Sequence, residues 1–215
     1  ARIGNSVPFL ERFDFREEYL ARRPAKAAKI LAVLRQRTPR LESLSLLDAG
    51  CSQGGIVQQV AREFHFAVGI DLDRPALEAP FPFHFVQGDA CALPVSTGSF
   101  DVVLLNHILE HVPSATKLLE ETRRVLKPGG LCYLACPNRL SLLEPHYRLP
   151  FLSWLPRGWA HRYVRWTGRG EQYLVHSPTY WELRSRLRNF EWQDLSARIV
   201  KRARDYFPPD DPMRE

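Results

Sequence analysis

The chain has 215 residues, 45% of them hydrophobic, which is enough for one large globular domain with a buried core. No apolar run approaches the roughly 20 residues of a spanning helix, and the polar start around Arg2 and Asn5 has no secretory pattern. The net charge is +6 but is uneven: between residues 145 and 204, twelve basic side chains face four acidic ones. Such a field attracts RNA, anionic lipid or a phosphorylated substrate; a solvated basic surface is the plainer reading. The four cysteines, Cys51, Cys91, Cys132 and Cys136, show no CxxC spacing. Buried, reduced thiols of a cytosolic protein are expected rather than a metal or disulfide framework.

In chain order, apolar residues at helical spacing predict a helical region over 11–37, with Pro24 opening a second helix. "LSLLDAG" reads as a strand, "GIVQQVAREF" as a helix and "FAVGIDLD" as a strand followed by a short helix near Pro75. "FHFVQGD" is a strand, and "FDVVLLNHILEH" starts as one and turns into helix or loop. "SATKLLEETRRVLK" is a helix capped by Ser114 and ended by Pro128, Gly129 and Gly130. "GLCYLACPN" is a strand. This alternation predicts a doubly wound, mostly parallel α/β sheet with helices on both faces.

From Arg139 to His176 the alternation stops, and aromatic residues, prolines and arginines interleave. That segment reads as an insertion, a lid. The pattern resumes with a helix in "SPTYWELRSRLRNF", capped by Ser177 with Pro178 first, and a strand in "EWQDLSARIV". The expected organisation is one domain: a helical cap over 1–40, a core over 41–138, the insertion over 139–176, and a C-terminal helix and strand over 177–215. The only methionine is Met213, in "PPDDPMRE", which suggests a trimmed chain.

Chemistry concentrates in "LLDAGCSQGG". Gly50, Ser52 and Gly54 fit a G-x-G-x-G turn with one substitution, and Gly50, Ser52 and Gly55 fit G-x-G-x-x-G equally well. Small residues let the backbone approach a ligand, and a following helix N-terminus favours negative charge. Asp71, at the end of the second strand, can accept from both ribose hydroxyls. Asp73 reads as a helix cap. These features leave NAD and S-adenosylmethionine both open.

Asp89, ending "FVQGD", can accept from an adenine amino group, with Ala90 beside it. "LPVSTGSFDVVLLNHILEHV" and "RRVLKPGGLCYLACPN" follow in order. The ordered set from Leu46 to Asn138 resembles the class I S-adenosylmethionine-dependent methyltransferases (methyltransferase domain type 11), especially those of ubiquinone and menaquinone biosynthesis. The resemblance implies a Rossmann-like fold, S-adenosyl-L-methionine as cofactor and S-adenosyl-L-homocysteine as product. By position it implies that Asp48, Gly50, Ser52 and Gly54 shape the cofactor loop. Asp71 would hold the ribose, Leu72 pack on adenine, and Asp89 and Ala90 read the adenine edge. Asn106 would lie near the sulfonium, and Asp101 would tie a strand start. A seventh, antiparallel strand of the family has no counterpart here.

Methyl transfer is an in-line displacement, so alignment dominates and a base is optional. His107, His111 and His146 are the candidate bases, and His107, Tyr147 and Trp154 the candidate substrate contacts. "HILEH" also offers His107, Glu110 and His111 at helical spacing, similar to the metal-binding segment of small-RNA 2′-O-methyltransferases; with no fourth ligand identifiable, no metal is expected. The insertion around 147–166 could pack as a lid or rest peripherally on a membrane. The expected function is methyl transfer, most readily to oxygen, on a small-molecule or lipid-linked acceptor in the cytoplasm. An RNA 2′-O-methyltransferase and a non-catalytic cofactor-binding module are the alternatives; an NAD-dependent oxidoreductase has no use for the Asp89 and "LKPGG" segments.

Overall fold

The computed structural model describes residues 22–73, 82–209 and 211. The N-terminal half of the expected 11–37 helical region, the short helix near Pro75 and Met213 lie outside them. Helix α1 spans Arg23–Arg35, with Pro24 in its first turn, where a missing N–H costs nothing. Strand β1 (Ser45–Ala49) leads through the glycine-rich loop to a short helix α2 (Val57–Val60), continued as a 3₁₀ turn. Strands β2 (Phe66–Asp71), β3 (His84–Gln87) and β4 (Phe100–Asn106) follow. Helix α3 (Ala115–Val125) runs directly into β5 (Leu126–Ala135).

The five strands form a parallel sheet in the order β3-β2-β1-β4-β5. Period-two alternation explains its two-sided core. Leu46, Val102 and Leu104 face α1 and α2, whereas Leu47, Val103 and Leu105 face α3. Asp101 fastens the start of β4, accepting from Ser45 N (2.9 Å), Ser45 Oγ (2.7 Å) and Lys127 Nζ (2.8 Å). Ser114 caps α3 by accepting from Lys117 N. Pro128–Gly130, expected to end that helix, instead lie within β5, where the register against β4 shifts between Phe100 and Val102. The extra residues are absorbed as a bulge.

The insertion holds a small core of its own. A two-strand ladder pairs β6 (Leu143–Glu144) with β7 (Leu149–Pro150), and α4 (Arg157–Trp166) follows. Tyr147, Leu149, Leu152, Ala160, Val164, Tyr173 and Val175 pack together there.

Two expectations near the C-terminus need correction. Helix α5 (Tyr180–Arg186) is capped by Thr179, not Ser177. Thr179 Oγ1 accepts from Glu182 N (3.2 Å) and Glu182 Oε2 accepts from Thr179 N (2.7 Å), a reciprocal capping box that stabilises more than a lone serine. Arg139 donates to both Glu182 oxygens and pins this helix to the start of the insertion. "EWQDLSARIV" forms no strand; it yields helix α6 (Ser196–Lys201). Leu195 and Ile199, four residues apart, pack on the main core while Val200 points to solvent. That helical spacing prevails over the β-branched Ile–Val pair. Among the described residues no helix is long and apolar enough to cross a membrane.

Candidate active site

In an open parallel sheet, ligands bind beyond the carboxyl ends of the strands where the order reverses, here between β1 and β4. Three loops meet there. Gly50 (φ +79°), Ser52 (φ +50°) and Gly54 (φ +74°) all take left-handed backbone conformations after β1. Gly50 N donates to Ile70 O at 2.7 Å and Cys51 N to the same carbonyl at 3.1 Å. A Cβ on Gly50 would fall 2.6 Å from Ile108 Cδ1, so the loop after β4 presses directly on the loop after β1. Only glycine satisfies both that approach and that φ. Ser52 occupies a position that favours glycine, and its amide is held by Asp71 Oδ2 at 2.7 Å.

Asp71 also accepts from Asp73 N at 3.1 Å through Oδ1. Each carboxylate oxygen retains a lone pair for an incoming hydroxyl. Asp73 is thus part of this Asx-type turn, whatever cap it makes for the chain beyond it. Leu72 is 59% exposed, an apolar surface beside the loop that a flat ring would cover. On the other side, Asp89 is exposed, with Oδ1 accepting from Cys91 N (2.8 Å), and Ala90 is buried. Arg124 and Glu121 of α3 hold this loop: Glu121 accepts from Leu93 N (2.7 Å) and Arg124 donates to Leu93 O (2.9 Å) and Val95 O (2.8 Å). Sequence reading missed that pair, although E-x-x-R on one helix face was visible.

Asp48 sits 3% exposed beneath the loop. Burial pushes its carboxyl up to about 7, with Arg23 pulling it back and Asp71 adding to the rise. Arg23 is buried at the start of α1, where burial lowers its guanidinium to about 10 against the attraction of Asp48. A Cβ on Gly55 would touch Arg23 Cγ at 3.4 Å, so this arginine lies under the loop as well. Nothing in the sequence pattern marked Arg23, because its partner is contributed across the fold.

Asn106 ends β4 half-buried, and His107 follows it at φ +58°. Strained non-glycine backbone of this kind gathers at functional sites. Of the helix and the loop expected after β4, "HILEH" takes the loop: His111 N closes a turn on Ile108 O at 2.9 Å, and the next helix begins only at Ala115. His107 Nδ1 lies 3.1 Å from Glu110 Oε1, and Glu110 is fully buried. Burial acts to raise the Glu110 carboxyl, but the hydrogen bond and charge of His107 outweigh it and hold the group below the usual range. An ionised Glu110 orients His107 so that Nε2 carries the lone pair. His146, from the insertion, comes to 3.2 Å from His111, Nε2 to Nε2. All three candidate histidines therefore converge beyond β4.

The two remaining expected substrate contacts separate. Trp154 is half-exposed, its indole N–H donating to Ser141 O at 3.1 Å. Tyr147 is 5% exposed in the insertion core; its hydroxyl donates to Gln172 O (2.8 Å) and accepts from Leu174 N (3.3 Å). Both hydrogen-bonding roles of this hydroxyl are used within the insertion, which supports a structural place for Tyr147.

Comparison with known proteins accords with this geometry. Residues 47–134 match the model of the methyltransferase domain family. Over that segment the chain is similar to methyltransferase domains. The ubiquinone biosynthesis O-methyltransferase of Chelativorans sp. (strain BNC1) is 32% identical over 145 residues, 59% of this chain and 56% of that protein. The chain thus spans about half the length of the curated relatives it matches. Among solved structures, a complex between the Haloferax volcanii Trm112 methyltransferase activator and a methyltransferase superposes with a TM-score of 0.58 at 20% identity, covering 86% of this chain and 76% of that one. A Methanosarcina mazei S-adenosylmethionine-dependent methyltransferase gives 0.52 at 23% identity, covering 69% and 79%. Both likenesses are of the class I fold. The residues present suit S-adenosylmethionine, the cofactor that the family resemblance implies: a loop of positive φ, an acid ending β2, an uncovered apolar Leu72 and an exposed Asp89.

Proposed function

We propose that this chain transfers the methyl group of S-adenosylmethionine to an oxygen of a small or lipid-linked acceptor bound beyond β1 and β4. The observation that supports this most is the convergence of the Gly50–Gly54 loop, Asp71 and His107 at the point where the strand order reverses. S-adenosylmethionine supplies an activated methyl group. The loop and Asp48 would hold its amino-acid end, Asp71 its ribose, Leu72, Asp89 and Ala90 its adenine, and Asn106 its methionine portion. His107, oriented by ionised Glu110, would accept the acceptor's proton at Nε2. The similarity to an O-methyltransferase supports oxygen as the acceptor atom.

The acceptor class draws support from the insertion. Phe151, Trp154, Leu155, Trp159 and Trp166 are exposed, and Arg162 lies 5.8 Å from the Trp159 ring. Exposed aromatics beside arginines suit a hydrophobic molecule carrying, or embedded beside, anionic groups. The test is transfer of labelled methyl from S-adenosylmethionine to fractionated lipid, small-molecule and RNA pools. Label in the lipid or small-molecule pool is expected, with loss in Asp71→Ala and a fall in kcat of about 100-fold in His107→Ala. Label only in RNA would overturn the acceptor class, and no calorimetric heat with the cofactor would overturn the reading as a whole.

A further inference from the structure

Glu110, His111 and His146 each bring one ligand atom to within 4.8 Å of the others. His111 Nε2 and His146 Nε2 are 3.2 Å apart, and His146 Nε2 stands 3.6 Å from Glu110 Oε1. Around a tetrahedral zinc ion with bonds of about 2.0–2.1 Å, neighbouring ligand atoms are about 3.3–3.4 Å apart. These two spacings bracket that value and the third lies within 4.8 Å, a gap that side-chain rotation can close.

Two further observations point to a cation. Glu110 is 0% exposed, and its Oε2 has no hydrogen-bond partner among the described residues. A bare carboxylate oxygen in the interior is costly unless something positive approaches it. Second, buried Glu144 stands 2.8 Å from His146 Nδ1, and its other oxygen accepts from Tyr147 N at 2.6 Å. A carboxylate fixed in that way keeps the proton on Nδ1 and leaves the Nε2 lone pair facing His111. This is the carboxylate–histidine arrangement that supports metal ligands. The insertion thereby supplies the ligand that "HILEH" lacks.

We propose that Glu110, His111 and His146 bind a divalent transition-metal ion of the zinc class, with Glu144 as the positioning carboxylate behind His146. Two imidazoles and one carboxylate favour zinc over magnesium or calcium, which prefer all-oxygen sites. Three protein ligands leave one coordination position open, as sites that work on a substrate oxygen do. The ion would tie the insertion to the loop after β4. Metal binding can be read without any methyl acceptor, so this proposal stands or falls separately from the proposed activity.

The test uses the full chain, free of any histidine tag and treated with chelator, titrated with Zn2+ by calorimetry and with Co2+ by visible absorption. One ion per chain is expected, with a Co2+ ligand-field band of four-coordinate type. His146→Ala should weaken Zn2+ binding at least 100-fold, and Glu144→Gln about 10–100-fold. His65→Ala, on the exposed surface away from the cluster, should bind like the parent. No binding by the parent chain, or equal affinity in His146→Ala and His65→Ala, overturns the site and leaves the His111–His146 contact as a simple hydrogen bond. Should His146→Ala not fold, Glu144→Gln decides: unchanged affinity overturns the proposal.

Discussion

Ser52 stands at φ +50° while its amide donates to Asp71 Oδ2 at 2.7 Å, so one hydrogen bond holds a strained loop residue against the acid that ends the neighbouring strand. The left-handed conformation costs a non-glycine residue about 1–2 kcal/mol. Glycine removes that strain but brings greater unfolded-state freedom, which returns about 0.5–1 kcal/mol. Ser52→Gly should therefore be neutral to about 1 kcal/mol stabilising, and β-branched Ser52→Val clearly destabilising. Denaturant unfolding of the three proteins checks the order; Val equal to Ser would refute the strain.

Gly50 has no such latitude. A methyl group there would meet Ile108 at 2.6 Å and would also require φ +79°. Strain plus overpacking should cost about 2–5 kcal/mol in Gly50→Ala. Ile108→Ala in the same background should recover part of the loss, since it removes the clash but not the strain. A double-mutant cycle on melting free energies measures the recovery, and strict additivity would count against the contact.

Asp48 gives the fold a pH dependence. Its carboxyl is raised by burial to about 7, above the ordinary carboxylate range of an unfolded chain near 3.9. The folded state then binds more protons than the unfolded one between those values. The contribution is fully present below about pH 4 and is lost as pH rises through about 7. Asp48→Asn removes this titration, so the parent's stability relative to the variant should decline between pH 5 and pH 8. The loss of Arg23's partner adds an offset that does not vary with pH over that window. Parallel stability curves for the two proteins would contradict the raised value.

Tyr147→Phe tests the structural assignment of that residue. Losing a hydroxyl that donates to Gln172 O and accepts from Leu174 N should cost about 1–2 kcal/mol. Binding of S-adenosylmethionine should not change. A large loss of acceptor affinity with unaltered stability would return Tyr147 to the substrate site.

Local spacing made much of this molecule legible. "LLDAG" and "FDVVLLN" read as strands because alternate apolar residues serve opposite faces of a buried sheet. The loop, Asp71 and Asp89 were readable because each sits within a few residues of a strand end. Thr179 and Glu182 were also within reach, since a capping box is written in four residues; Ser177 was preferred only for standing before a proline. "EWQDLSARIV" misled because Ile–Val is strand-like in isolation, and only the core beneath Leu195 and Ile199 selects the helix.

What the sequence determined by itself is the class I sheet and the cofactor loop, because strand alternation and turn chemistry act over a few residues. Tertiary structure alone decided what stands around that loop. Arg23 meets Asp48 from another element, Ile108 bears on Gly50, and His146 reaches His111 across 35 positions in the chain. No local pattern encodes such meetings, since they depend on how the sheet and the insertion pack after their elements have formed.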